Sequence, residues 1–461
     1  MKNFTFIGSC LFLLIQGCGG SDSNVAEETT ALANVKGSSE ISIIYKKAIV
    51  RSLTSSQNGN SPVSSPVVED ASESIDDSTS DASDSKFSGT NTQEAGVDEA
   101  DRVEFNGEHL FLLTANNYMQ NQQVKVFNKG TSSLEYKASI ALSEQSFYRG
   151  LYLYQNTITA IGEASNDYYI EPLVGSAIQT SPVYDYEYQP PKVMINIFSD
   201  LQASFTDENI AKDQYQLNGT LVSSRRVGEH LYIVSRFSPN FQQFKDIYYG
   251  QSEQKLEAAI ADVDANDLIA TYQYNKGEEQ ILSDNCYLED VSLDEEAEGF
   301  LELVYLTKIE LGQPENIESV CIGAQTNQIY ASTQSIVLFA DIYQHSDDKT
   351  DIFTQLHKFD LASLSYQSSG QVTGSVGWNN ANYRFSEQDN YLRVLTTARD
   401  WSEGSIEHKL FVLDTSTTKM SEVARLPKDN SDQTIGKPGE DIYAVRYRNN
   451  KAYVVTFRRT D

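Results

Sequence analysis

A strand–turn–strand unit recurs along the chain, and this repetition most limits how the chain can fold. The stretch GEHLFLL at Gly107–Leu113 matches GEHLYIV at Gly228–Val234 almost residue for residue. Looser copies begin at residues 156, 327, 389 and 450, the last three about 60 residues apart. A single four-stranded sheet cannot bury both of its faces, whereas sheets stacked around an axis can. The repeats therefore predict an all-β protein, a β-propeller in which about six blade starts are visible.

Composition and charge agree with this fold and exclude some partners. Tyrosine (27) and phenylalanine (20) favour strands and are plentiful, whereas methionine (4) is scarce. The formal net charge is −30. Because the phosphates of nucleic acids and anionic lipids attract Lys and Arg, so acidic a chain is expected to bind no nucleic acid and no lipid surface by charge alone.

The N-terminal leader has the features of a secretion signal. Lys2 precedes the apolar stretch Phe4–Ile15, which is too short to span a bilayer as a helix, and Gly17 precedes Cys18. This order resembles a bacterial lipoprotein signal, in which the cysteine after a small residue is acylated and becomes the new N-terminus. We therefore predict a signal peptide over 1–17 and lipidation at Cys18, where several acyl chains anchor far better than one. Gly19 favours the outer membrane of a bacterial cell envelope.

Residues 18–86 are interpreted as a lipid-anchored tether. Within it, apolar residues at helical spacing predict a short amphipathic helix over Ser38–Leu53, which docks on the body or on the membrane. The stretch Ser55–Lys86 is rich in Ser, Pro and Asp, and it has no basic residue from Glu69 to Asp84. Such a composition predicts a disordered acidic linker that holds the domain off the membrane. Calcium binding by these acids is the alternative.

Two insertions interrupt the repeats in the body of the chain, residues 87–461. The first, Asp167–Pro191, reads as a long exposed loop, and exposed aromatic side chains make good binding anchors. Its candidate ligand-binding residues are Tyr168, Tyr169, Tyr184, Tyr186 and Tyr188. The second, Ser252–Tyr274, is interpreted as a helix that presents Leu256, Ile260 and Val263 on one face.

Cys286 and Cys321 are the only cysteine pair in the body of the chain. An exported protein meets an oxidising compartment, so this pair is predicted to form a disulfide. In the chain-entropy model such a cross-link stabilises by about 3–4 kcal/mol. The pair lacks the spacing of a zinc site, and no metal site is predicted from it.

An acidic cluster opens the body, consisting of Asp98, Glu99 and Asp101. In one interpretation it orders the first strand by pairing with basic residues of neighbouring blades, such as Arg393 or Arg446. In the other it binds a cation or a polar ligand at the propeller axis. The common catalytic and phosphate-binding motifs do not occur in the sequence. We therefore predict no cofactor, with calcium as the alternative.

The opening of the body also resembles that of a known family, the secreted bacterial and archaeal proteins with a C-terminal β-propeller distantly related to WD40 repeats. Their pattern TNxQxxGVDEADxVKxDG is matched by Thr90–Gln93, Gly96–Asp101, Val103 and Asn106–Gly107. Glu104 stands where the family has lysine. Two further stretches match, at 385–397 and 439–458. The family carries no activity that could be transferred to particular residues.

The resemblance implies a propeller over 87–461, with further blades in the family beyond the position of Asp461. The ring is therefore expected to be C-terminally incomplete. In a complete ring the first strand, TNTQEAGVDEAD, is expected to pair with the last blade. The anchor, the linker and the propeller together predict a cell-envelope lipoprotein, a binding or scaffolding module for an extracytoplasmic protein or glycan. The alternative is a hydrolase or lyase that acts on an extracellular polymer through axial carboxylates.

Overall fold

The computed structural model describes residues 31–55, 92–114, 122–143, 146–164, 191–199, 211–239, 252–289, 299–346, 349–377, 380–400, 404–429 and 431–458. Within these ranges the chain forms six sheets and two α-helices, and the predicted all-β fold is confirmed. The leader with Cys18 lies outside the described residues, and so does the predicted acidic linker Ser55–Lys86 except for Ser55, which ends a helix. The loop from 165 to 190, which contains Tyr168, Tyr169, Tyr184, Tyr186 and Tyr188, also lies outside them.

The first described elements lie before the blades. They are strand β1 (Ala33–Lys36), helix α1 (Ser38–Ser55) and the short strand β2 (Val97–Asp98). Blade one follows as β3 (Val103–Phe105), β4 (His109–Thr114), β5 (Gln123–Lys129) and β6 (Leu134–Ala141). Blade two consists of β7 (Ser146–Tyr154), β8 (Thr157–Ala164), β9 (Lys192–Ser199) and β10 (Ala211–Asn218).

Blade three is split by an insertion. It begins with β11 (Thr220–Val227) and β12 (His230–Phe237) and ends with β16 (Leu303–Glu310) and β17 (Ile317–Gly323). The insertion holds α2 (Glu253–Ala261), a 3-10 helix (Ala265–Leu268), β13 (Thr271–Tyr274), β14 (Gln280–Ile281) and β15 (Asn285–Leu288). Strands β13 and β14 extend blade two, whereas β15 extends blade three, so the insertion joins the rims of both blades.

The remaining sheets follow in chain order. Blade four contains β18 (Gln328–Ala331), β19 (Ser335–Ser346), β20 (Lys349–Asp360) and β21 (Tyr366–Thr373). Blade five has a 3-10 helix (Ala381–Arg384), then β22 (Phe385–Gln388), β23 (Tyr391–Asp400), β24 (Ser405–Asp414) and β25 (Ser421–Leu426). Sheet six consists of β26 (Asp441–Arg448) and β27 (Lys451–Phe457).

The hydrophobic core lies between consecutive blades. In blade one the side chains alternate, so that Phe111, Leu113, Val124 and Val126 are fully buried on one face against blade two. Similar clusters join blades two and three, three and four, and four and five. Each large buried aliphatic side chain contributes roughly 1.5–3 kcal/mol, so stacking of the blades supplies most of the apolar stabilisation.

The predicted amphipathic helix is confirmed as α1, and it docks on the body. Tyr45 is fully buried, and its hydroxyl donates to the Leu301 carbonyl at 2.6 Å. The Lys46 ammonium donates to the carbonyls of Ala261 and Val263 at 2.8 and 2.7 Å. Strand β1 pairs with β15 at the edge of blade three. Residues 31–55 therefore pack on the body of the protein. They are not part of a free tether, which was predicted over residues 18–86.

No helix in the described ranges is both long enough and apolar enough to cross a bilayer.

Cys286 and Cys321 lie opposite each other on the parallel neighbours β15 and β17. Their Cα atoms are 4.3 Å apart, both side chains are fully buried, and the sulfurs are at disulfide-bonding distance. The bridge therefore fastens the end of the insertion to the last regular strand of blade three.

Two predicted elements differ in the structure. The helix predicted over Ser252–Tyr274 ends at Ala261. Beyond it the Asp264 carboxylate accepts a hydrogen bond from the backbone N–H of Asn266 and starts a 3-10 helix instead. The β-prone sequence from Thr271 then pairs with β10. The repeat copy at 327–331 is the first strand of blade four, whereas the other copies are second strands of their sheets.

Candidate functional site

Residues 92–101, which we call the axial strap, contact four consecutive blades. Asp101 exchanges backbone hydrogen bonds with Leu151 of blade two, and β2 pairs with β11 of blade three. The Glu94 carboxylate accepts from Tyr330 of blade four at 2.7 Å. The Gln93 amide donates to the Phe385 carbonyl of blade five at 3.3 Å. A segment this short can reach four sheets only where they converge, so the strap crosses the propeller axis.

Within the described residues this segment pairs with blade three, so it is not left as the unpaired edge expected of an incomplete ring. Val97 is 4% exposed and lies opposite Val227 on β11. Gly96 has φ of +86°, a conformation that glycine adopts readily, and it redirects the chain so that Val97 enters the core between blades three and four. The strap therefore has a partner strand of its own.

Asp98 and Glu99 of the acidic cluster form their ion pairs with arginines of blade three, where Arg393 or Arg446 had been expected. The Arg226 guanidinium donates to Asp98 Oδ2 from Nη2 at 2.8 Å and from Nε at 3.1 Å. Arg225 forms an ion pair with Glu99 at 3.4 Å. These arginines were not singled out because they lie about 130 residues along the chain from their partners, in the middle of an ordinary strand. The cluster thus fastens the strap.

Burial dominates the electrostatics around the acidic cluster. It raises the pKa of Asp98 although Arg226 acts against this shift. Burial, followed by the charges of Asp98 and Asp101, raises the pKa of Glu104 to about 8. Glu104 Oε1 is buried and has no hydrogen-bond partner. Among the described residues, no three acidic, cysteine or histidine side chains are arranged to hold a metal ion.

The Tyr330 hydroxyl pins the strap to the blades. It is fully buried, donates to Glu94 and accepts from the Glu387 backbone N–H, both at 2.7 Å. We expect Tyr330→Phe to lower the free energy of unfolding by about 1–3 kcal/mol, because two buried polar groups lose their partner while the shape of the core is kept. Urea unfolding of the variant measures this, with Tyr343→Phe on the next strand as control. Equal losses in both variants would contradict the pinning role.

Beside the strap lies a pocket of about 250 Å³, which we call the axial pocket. It opens between blade five, sheet six and the strap residues Gln93 and Glu94. Its other lining residues are Tyr383, Phe385, Ser386, Glu387, Gln388, Arg393, Val445, Arg446, Tyr447 and Asn449.

Two arginine–tyrosine pairs cross the wall of the axial pocket. Arg393 of blade five lies over the ring of Tyr447 of sheet six, 5.0 Å from its centroid. Arg446 of sheet six lies over the ring of Tyr383 of blade five at 4.8 Å. Such cation–π contacts hold a guanidinium in place without neutralising its charge. The two cations are therefore presented in fixed positions at the pocket.

Within the described residues, neither Arg393 nor Arg446 of the axial pocket forms a salt bridge with a carboxylate. Arg393 donates to the Asn449 carbonyl at 2.6 Å and to the Ser386 hydroxyl at 2.7 Å, both of which are neutral acceptors, and its Nε is buried without a partner. The Glu387 carboxylate forms a salt bridge with Lys358, whose Nζ lies 2.5 Å from Glu387 Oε1. Burial raises the pKa of Glu94, and the charge of Arg393 acts against this shift, so this carboxyl lies within the field of Arg393.

The axial pocket was not predicted. Arg393 and Arg446, which the sequence predicts as partners of the acidic cluster, line this pocket instead. Both belong to the stretches at 385–397 and 439–458 that carry the family resemblance. The family resemblance drew attention to these two stretches, but it could not show that they face each other in the structure.

The fold and the site define a β-propeller with a strap across its axis and a basic pocket beside the strap. Residues 87–461 match the family described as "Beta propeller domain", and the chain belongs to this family.

Two archaeal relatives and one solved structure are similar to the chain. An uncharacterized protein of Methanocaldococcus jannaschii is 24% identical over 417 residues, which covers 82% of this chain and 59% of that protein. An uncharacterized protein of Archaeoglobus fulgidus is 36% identical over 109 residues, or 23% of this chain and 15% of that protein. The chain thus spans less than two thirds of either relative. A variant of Synechocystis apocarotenoid oxygenase aligns with a TM-score of 0.29 and 11% identity, over 74% of this chain and 62% of that one.

Proposed function

We propose that this protein is a cell-envelope lipoprotein whose propeller binds a protein or glycan ligand at the axial pocket. The observation that carries the proposal is the pair of guanidinium groups at the pocket, neither of which forms a salt bridge within the described residues. In a chain with a net charge of −30, such a basic site is a local exception. Polar groups that converge in a concave site are typical of ligand recognition.

The anchor is proposed from the leader and fits the position of the docked segment. Cys18 follows an apolar stretch and Gly17, and β1 begins at Ala33 on the rim of blade three. The fourteen residues between them span at most about 50 Å when extended. The rim of blade three would therefore stay near the outer membrane. The tyrosine-rich loop, which joins β8 to β9, is proposed as a second contact surface for the ligand.

A metabolic-labelling experiment tests the anchor. When the full chain is expressed in a Gram-negative bacterium with labelled palmitate, we expect the label in the protein and the protein in the membrane fraction. Cys18→Ala is expected to abolish both, whereas Cys10→Ala, in the same leader, leaves them unchanged. An unlabelled, soluble wild-type protein would contradict the lipoprotein proposal.

An enzymatic function is the second candidate, and one observation favours it. Burial, followed by the charges of Asp98 and Asp101, raises the pKa of Glu104 to about 8, so this carboxyl stays protonated at neutral pH, as a general acid must. However, Glu104 Oε1 is buried and Glu104 does not line the axial pocket. Assays of the purified chain on polysaccharides and peptides, with and without calcium, separate the two functions. Turnover that Glu104→Gln removes would favour the enzyme.

A further inference from the structure

We propose that the axial pocket binds the carboxylate group of a small ligand, which Arg393 and Arg446 hold between them. This inference rests on the proposed function and names the chemistry that the same site recognises. The two guanidinium groups come from different sheets, so a bound carboxylate would also tie blade five to sheet six.

The arginines are prepared for such a group. A guanidinium presents its N–H donors in a planar fork that matches a carboxylate, and stacking on an aromatic ring fixes the plane of the fork. Arg393 and Arg446 both lie over an aromatic ring, those of Tyr447 and Tyr383, at 5.0 and 4.8 Å from the centroids. The terminal nitrogens of Arg393 each donate one hydrogen bond within the protein, to the Asn449 carbonyl and the Ser386 hydroxyl. Each of these nitrogens carries a second N–H that a ligand oxygen can accept.

The surrounding charges favour a ligand with one negative charge. The axial pocket also contains Glu387, which forms its ion pair with Lys358, and Glu94, which accepts from Tyr330. A dianion such as phosphate would meet both carboxyl groups and the negative field of the whole chain. A single carboxylate avoids most of this repulsion and still pairs with the arginines.

The volume of the axial pocket limits the size of the ligand. At about 250 Å³ it is smaller than the roughly 300–1,000 Å³ of sites for drug-sized molecules. A ligand part of about the size of one sugar or amino-acid residue fits this space. Gln93, Gln388 and Asn449 line the rest of the pocket and offer amide groups for its hydroxyls or its amide.

Calorimetric titration of the full chain tests the proposal. The probes are D-glucuronate and N-acetyl-L-alanine, each with its neutral counterpart, D-glucose and N-acetyl-L-alaninamide, and inorganic phosphate. We expect at least one carboxylate to bind, its neutral counterpart not to bind, and phosphate to bind more weakly. Which carboxylate binds distinguishes an acidic sugar from an amino-acid terminus.

Variants on a single strand provide the control. Arg446 is exposed, so Arg446→Gln is expected to fold and to weaken carboxylate binding by roughly tenfold or more, because a charge-assisted hydrogen bond is lost. Arg448→Gln, also exposed on β26 but outside the pocket lining, removes the same charge and should leave binding unchanged. Arg393→Lys keeps the charge, loses the fork and should also weaken binding.

Three results would overturn the inference: equal binding of the neutral counterparts, tighter binding of phosphate, or equal effects of Arg446→Gln and Arg448→Gln. A chain that is lipidated at Cys18 and captures a ligand, yet binds neither carboxylate, would overturn the inference and leave the proposed function standing. A chain that binds the carboxylates but carries no label at Cys18 would overturn only the anchor.

Discussion

Replacing Lys358 by methionine is expected to lower the free energy of unfolding by about 3–5 kcal/mol. Lys358 lies on β20 of blade four, and its Nζ is 2.5 Å from Glu387 Oε1 on β22 of blade five. Both side chains are almost fully buried, at 7% and 6% exposure. Removal of the lysine leaves the Glu387 charge with only the Ser332 and Ser335 hydroxyls as donors at its other oxygen. A buried, uncompensated charge is costly, so the blade interface should weaken.

Urea unfolding of three variants measures this effect. Lys409→Met is the matched control, because Lys409 faces the largely exposed Glu407 at 3.5 Å, and exposed pairs contribute only about 0–1 kcal/mol. In the double variant Lys358→Met/Glu387→Leu no charge remains buried, so much of the loss should be recovered. If Lys358→Met cost no more than Lys409→Met, the buried pair would not hold the two blades together.

The second large effect is a loss of stability with rising pH that originates at Glu104. Its pKa is about 8 in the folded chain, against an ordinary value of 4.5, so the folded state retains a proton that the unfolded state releases. The stabilisation is complete below pH 4.5 and is lost as the pH rises towards 8. Since each pKa unit corresponds to about 1.4 kcal/mol, the contribution over this range is roughly 4–5 kcal/mol.

Glu104→Gln isolates this contribution. The amide keeps the shape but has no proton to lose, so the variant should match the wild type near pH 5 and exceed its stability near pH 8 by about 3 kcal/mol or more. Glu108→Gln, at an exposed position, controls for the loss of one negative charge. Burial lowers the pKa of His357 to about 4, which makes stability rise with pH up to about 6.5, but this effect is common to all three proteins. Parallel pH curves for wild type and Glu104→Gln would contradict the assignment.

The extent to which the sequence anticipates the structure depends on how local each interaction is. The strand pairs within a blade follow short turns such as Asn106–Gly107, so alternation and turn residues sufficed to predict six sheets. The helix α1 was predicted for the same reason, because its apolar spacing is a local property.

The particular partners of the strap, and the axial pocket, depend on distant contacts and were therefore not predicted. Asp98 meets Arg226 across 128 residues, and Asn382 donates to Glu99 across 283. The sequence contains several arginines that could pair with an acidic cluster, and its composition does not indicate which of them do so. The pocket arises only after blade five and sheet six stack, since each arginine in it is positioned by a tyrosine of the other sheet.

The docking of β1 and α1 has a consequence for proteolysis of the chain. Both ends of the segment 56–91 are fastened to the propeller, through α1 before it and through the strap after it. A protease that cuts within this segment would therefore not separate the two pieces, because the buried face of α1, with Ile41, Tyr45 and Ile49, holds them together. If the chain is anchored at Cys18 as proposed, release of the domain would require a cut between Cys18 and β1.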